Sequence, residues 1–113
     1  IPVLYTSREM IFLQDKNELI KFQQSLSIFI SGIIQEIKNE IGYLISKGGI
    51  TSNTILSEGF CVDSVYLEGQ IFTGISVVNV DISSTEKIPV VTFPGNIGET
   101  NSLEKILLIL ENK

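Results

Sequence analysis

The residues best suited to chemistry cluster at Ser46-Lys47-Gly48-Gly49-Ile50-Thr51-Ser52-Asn53. An apolar, strand-like run from Ile41 to Ser46 leads in. A short helix-like run from Ser52 to Glu58 leads out and stops at Gly59. Two adjacent glycines let the backbone turn sharply and place no Cβ in the path of a ligand. Thr51 and Ser52 are expected to cap the helix with their hydroxyls. The first helical amides would then point unpaired into the turn, a setting that suits an anion, phosphate above all. A second turn of the same order, Pro94-Gly95-Asn96-Ile97-Gly98, follows the strand-like run Ile88 to Phe93 and precedes a helix. Gly95 and Gly98 leave room there, and Asn96 could hold a left-handed backbone or donate its side-chain amide. Ligands of open α/β sheets bind at the carboxyl ends of strands, so two such turns on neighbouring strands would flank one crevice. Neither turn is a Walker A loop or a Gly-x-Gly-x-x-Gly fingerprint. Glycine after a strand also serves plain turn geometry, and Lys47 reads as a phosphate contact or as a solvated charge.

The elements that must position these turns follow from hydrophobic spacing. Pro2 to Thr6 reads as a short buried strand with Ser7-Arg8-Glu9 as its polar exit, and Met10 to Leu13 as an apolar run of ambiguous form. Asp15 and Glu18 have the spacing of a capping box. From there Leu19, Phe22, Leu26, Phe29, Ile30, Ile33, Ile34, Ile37 and Ile41 recur at three and four residues. That is one apolar stripe on a long helix ending near Asn39 or Glu40. Val62 to Leu67 reads as a strand, Glu68-Gly69-Gln70 as a turn and Thr73-Gly74 as a bend. Ile75 to Val80 is β-branched and strand-like, and Asp81 to Lys87 is a polar loop. Pro89 sits at the opening of the next strand, where a missing amide matters least. Asn101 and Glu104 form a second capping-box pair, and Leu103, Ile106, Leu107 and Leu110 face inward on a closing helix. The expected fold is α/β: a three-layer α/β/α sandwich with a mixed, mainly parallel sheet, antiparallel in its middle part.

The chain has 113 residues, 43% of them apolar, and a mean hydropathy of +0.32. That fits one ordered domain, residues 1–113, with a single core. No apolar run reaches the roughly 18 residues of a membrane span, so no membrane partner is expected. A net charge of −5, from eight basic and thirteen acidic residues, does not supply the basic face that nucleic acid requires. Histidine is absent, which removes histidine-based triads and most zinc sites. Cys61 is the single cysteine. It excludes an internal disulfide, fits a reducing cytoplasmic setting, and reads as packing because no basic neighbour is evident to activate it. The start at Ile1-Pro2 rather than Met suggests a piece of a longer protein.

Three ordered segments also carry a resemblance. Ser46 to Ile55 resembles the Lys-Gly-Gly-Ile-Thr-Ser segment of the four-carbon acid sugar kinases. Leu67 to Ile75 resembles their Leu-Gly-Gln-Ile-x-x-Gly-Val segment, and Val90 to Gly98 their closing Phe-Pro-Gly-Asn-x-Gly segment. The resemblance spans essentially the whole chain and covers the C-terminal, nucleotide-binding part of such a kinase. It implies ATP held by Gly48, Gly49, Ile50, Thr51 and Ser52 on one side and by Gly95, Asn96 and Gly98 on the other, with Mg2+ bridging the phosphates. Some relatives carry Glu or Asp where this chain has Ile50. The implied reaction is phosphoryl transfer from ATP to a four-carbon acid sugar of the 3-oxo-tetronate, threonate or erythronate type. The sugar-acid site and acid/base would lie in an N-terminal domain, so no catalytic residue and no metal ligand is assigned here and this piece alone is expected to be inactive. The competing expectation is a non-enzymatic α/β ligand-binding or regulatory module; a homodimer is a further arrangement that the sequence leaves open.

Overall fold

The computed structural model describes residues 1–7 and 12–112. Its elements are α1 (Lys16–Ile37), β1 (Leu44–Lys47), α2 (Gly49–Thr54) continuing as a π-helical turn (Ile55–Gly59), β2 (Tyr66–Phe72), β3 (Ile75–Asp81), β4 (Lys87–Phe93) and α3 (Ser102–Glu111). The fold is α/β, with one four-stranded mixed sheet in the order β1-β4-β3-β2. Among the described residues only β1 and β4 are parallel; β4–β3 and β3–β2 are antiparallel. The sheet is therefore mixed as expected, but its parallel part is one pair. Two tight connections, at Thr73-Gly74 and at 82–86, join neighbouring strands without a crossover helix.

Side chains alternate along each strand and so divide the core between two faces. Val78, Val80, Ile88 and Val90 pack with Ile34 of α1, Ile55 and Phe60 on one face. Ile75, Val91 and Phe93 pack with Ile106 and Leu110 of α3 on the other. Asp15 caps α1 as expected, its carboxylate accepting from the Asn17 amide at 2.9 Å. The apolar stripe of α1 is only partly used. Ile34 is buried and Ile30 and Ile37 pack beside it, whereas Phe22 and Phe29 are exposed. Close approach of α1 to the π-helical turn depends on Gly59, where a Cβ would fall 2.8 Å from both Cβ and Cγ2 of Ile34.

Several sequence expectations are corrected. Pro2 to Thr6 is not a strand. It pairs with no described strand, and Tyr5 is 84% exposed, because β-propensity yields a strand only where a partner backbone is available. Ser7 and Phe12 are exposed, and the readings at Arg8, Glu9, Met10 and Ile11 lie outside the described residues. The segment 62–65 is irregular. Glu68-Gly69-Gln70 is not a turn but lies inside β2, where the register slips at a bulge. The second capping box does not form: Asn101 makes no side-chain cap bond, and the Ser102 hydroxyl instead accepts from the Glu99 amide at 2.6 Å. Leu103 faces outward at 48% exposure, while Ile106 and Leu110 are buried. Cys61 is exposed rather than packed, in a left-handed conformation, with its Sγ donating to the Glu58 carbonyl at 3.2 Å.

Two outcomes test this packing. Gly59→Ala should lower unfolding free energy by about 1–3 kcal/mol in denaturant titration, because the clash is with the root of Ile34 and cannot rotate away. The Tyr43 phenol donates to the Glu111 carboxylate, tying α3 to the approach of β1. That hydrogen bond, then local burial and the negative charge of Glu111, hold the phenol pKa above 10. The tie is thus present at neutral pH and lost as pH rises through the raised value. NMR titration of the Tyr43 ring should find its midpoint above the ordinary phenol value in the native chain and lower in Glu111→Gln.

Candidate functional site

Parallel pairing of β1 with β4 puts both carboxyl ends at one edge of the sheet. The register runs Ser46 to Thr92 and Lys47 to Phe93, and the Gly48 amide extends it by donating to the Phe93 carbonyl at 2.7 Å. The chains that leave these strands therefore start side by side. A Cβ built on Gly95 would lie 4.0 Å from the Gly48 Cα. Between them opens a crevice of about 450 Å³, lined by Gly49, Ser52, Gly74, Ser76, Thr92, Phe93, Pro94, Gly95 and Asn96. Pockets for small ligands run from roughly 300 to 1,000 Å³, so the space suits a molecule of that class. A smaller hollow of about 250 Å³ lies at the opposite end of the sheet, between Val62, Tyr66, Asn79, Asp81 and Lys87, and has no glycine turn.

Local chemistry explains the first turn. Gly48 takes φ +106°, ψ 136°, a conformation closed to most side chains, and stands as the N-cap of α2. The helix thus begins at Gly49, earlier than expected. Thr51 and Ser52 lie inside it, and no side chain caps it. The amides of Gly49, Ile50 and Thr51 have no carbonyl within the helix to receive them, and the first intrahelical bond runs from the Ser52 amide to the Gly48 carbonyl at 2.9 Å. The Ser52 hydroxyl is committed elsewhere: it shares a buried hydrogen bond of 2.8 Å with the Ser46 hydroxyl, fastening α2 to β1. Strand register aligns Ser46, Thr92 and Ser76 across three strands. Thr92 Oγ1 donates to the Ser76 carbonyl at 3.4 Å, so the floor of the crevice carries hydroxyls.

The eight residues expected at the site divide in two. Gly49, Ser52, Gly95 and Asn96 line the crevice. Gly48, Ile50, Thr51 and Gly98 do not. Gly48 sets the turn, and Ile50 is 86% exposed. Gly98 is a packing residue: a Cβ there would meet the Phe93 ring at 2.6 Å and the Ser102 hydroxyl at 3.2 Å. Asn96 does not adopt the left-handed backbone; among the described residues only Cys61 does so without being glycine. Lys47 lies with Phe93 on the α3 face, its Nζ 5.1 Å from the ring centroid, a cation–π distance. The sequence reading missed Gly74, Ser76, Thr92, Phe93 and Pro94. Of these Thr92, Phe93 and Pro94 adjoin Gly95 and were visible by position. Gly74 and Ser76 enter only because β3 runs antiparallel to β4 and brings its hairpin tip to the same edge.

The serine pair makes a direct test. Either Ser46→Ala or Ser52→Ala strands a buried hydroxyl and should cost about 1–3 kcal/mol; the double variant should lose less than the two singles combined in denaturant titration. Among the described residues no helix is long and apolar enough to cross a membrane. No curated protein and no solved structure matches the chain. A family model described as "Nucleotide-binding C-terminal domain" matches residues 1–103. With that match over most of its length, and a crevice at the carboxyl ends of two parallel strands, the chain belongs to the nucleotide-binding C-terminal domain family of the four-carbon acid sugar kinases.

Proposed function

We propose that this chain is the ATP-binding domain of a kinase that transfers phosphate to a hydroxyl of a four-carbon acid sugar, of the 3-oxo-tetronate, threonate or erythronate type, in the cytoplasm. The observation that carries the reading is the meeting of two glycine turns at one sheet edge. At Gly49 and Gly95 the walls of the crevice carry no Cβ, and a Cβ at Gly49 would meet nothing within 4 Å. Flat or phosphorylated groups can therefore approach main-chain amides closely. Of the unpaired amides at the start of α2, that of Gly49 lies on the crevice and is the donor for a phosphate oxygen, with the Asn96 side chain and the floor hydroxyls beside it.

ATP supplies the transferable phosphoryl group, and such transfer relies on positioning and charge neutralisation more than on covalent help from the protein. Among the described residues no three His, Cys, Asp or Glu side chains converge as metal ligands. Mg2+ would enter with the phosphates of ATP, as it commonly does. The role of this chain is to bind and orient; the sugar-acid site and the acid/base group belong to another domain.

Titration with MgATP, followed by amide chemical shifts, should perturb Gly48, Gly49, Ser52, Gly95 and Asn96 most. Gly95→Val, which pushes methyl groups into the crevice, should weaken binding at least about tenfold while leaving the melting temperature nearly unchanged. Perturbations centred on the hollow beside Lys87, or equal affinity in Gly95→Val, would overturn the assignment in favour of a non-enzymatic module.

A further inference from the structure

We infer that the β2–β3 hairpin tip positions the second glycine turn, with Ile97 as the peg and Gly74 as its seat. The inference rests on the reading that this crevice takes a nucleotide. Gly74 lines the crevice together with Gly95 and Asn96. A Cβ at Gly74 would fall 3.1 Å from Ile97 Cδ1 and 3.5 Å from Ile97 Cγ2. The tip and the Ile97 side chain are therefore in contact, with no room for a methyl group between them.

The second turn needs such support. Its own closing hydrogen bond, from the Ile97 amide to the Pro94 carbonyl, is long at 3.4 Å. On one side Gly98 is pressed against the Phe93 ring. On the other, Ile97 meets the hairpin tip. Gly95 and Asn96 lie in the chain between Phe93 and the two anchored residues Ile97 and Gly98, so their place opposite Gly49 depends on both contacts. Gly98 grips from the α3 face, and the tip grips from the strands beyond β4. Ile97 does not line the crevice and is a positioning residue, whereas Gly74 both seats it and forms part of the wall. At φ +81° Gly74 also holds a backbone conformation that strains an alanine regardless of space.

The test compares Ile97→Ala, Gly74→Ala and the double variant by MgATP affinity, well below each melting temperature. Ile97→Ala should weaken binding about fivefold by freeing the turn, and Gly74→Ala about tenfold by displacing Ile97. Backbone strain is common to Gly74→Ala and the double variant, so their difference isolates the contact. The double variant should bind at least about threefold more tightly than Gly74→Ala alone. Losses that simply multiply in the double variant would overturn the inference. Nitrogen-15 order parameters provide a readout independent of ligand: those of Gly95 and Asn96 should fall in Ile97→Ala and stay native in Ile97→Val. If the native chain binds no MgATP, the nucleotide reading fails while the order parameters still decide the positioning role. If Gly74→Ala does not fold, the two Ile97 variants decide it. Unchanged order parameters in Ile97→Ala would refute the role.

Discussion

The crevice depends on one backbone interaction, the parallel ladder between β1 and β4. Strands that run the same way release their chains at the same edge. The ladder does not stop at the last strand residue, since the Gly48 amide still donates to the Phe93 carbonyl. That bond fixes the first turn against the root of the second. An antiparallel pairing of the same two strands would send the glycine turns to opposite ends of the sheet, with every local feature otherwise intact.

Around that ladder the sheet separates structural from open surface by simple alternation. The residues at positions 45, 91 and 93 turn to α3 and build a dry core. Those at 46, 76 and 92 turn the other way, and of these Ser76 and Thr92 carry hydroxyls to the crevice floor. Ser46 is buried with its hydroxyl bound by Ser52, so burial of a polar group here is compensated and also orients α2. Among the described residues no buried side-chain nitrogen or oxygen lacks a partner. Lys47 belongs to the apolar side of this division, resting on Phe93.

Glycines do different work at different places in this fold. Gly48 supplies a backbone angle, whereas Gly59 and Gly98 supply nearness to Ile34 and Phe93. Gly49 and Gly95 supply open space. A glycine-rich string in the sequence shows none of these distinctions, because each depends on what packs opposite. The same holds for the long apolar stripe of α1, where Phe29 is 61% exposed although it belongs to the same run of three- and four-residue spacings as buried Ile34. Periodicity states which side of a helix is apolar, not how much of that side meets a neighbour.

Local units could be read from residue order alone. The Asp15 cap, the helical stripe, the β-branched runs at Ile75 and Ile88, the bend at Thr73-Gly74 and two glycine turns after strands were all legible, because each follows from spacing within a few residues. The resemblance of three segments to the four-carbon acid sugar kinases likewise agrees with the family to which the chain belongs. Packing settled the rest: among the described residues Pro2 to Thr6 stays unpaired, one strand pair alone is parallel, and four of the eight expected site residues line the crevice. It also brought Gly74 and Ser76 to that edge from a hairpin that the sequence did not connect with it. Strand pairing and side-chain contact join residues far apart in the chain, and such long-range choices are made by the packed whole rather than by any local stretch.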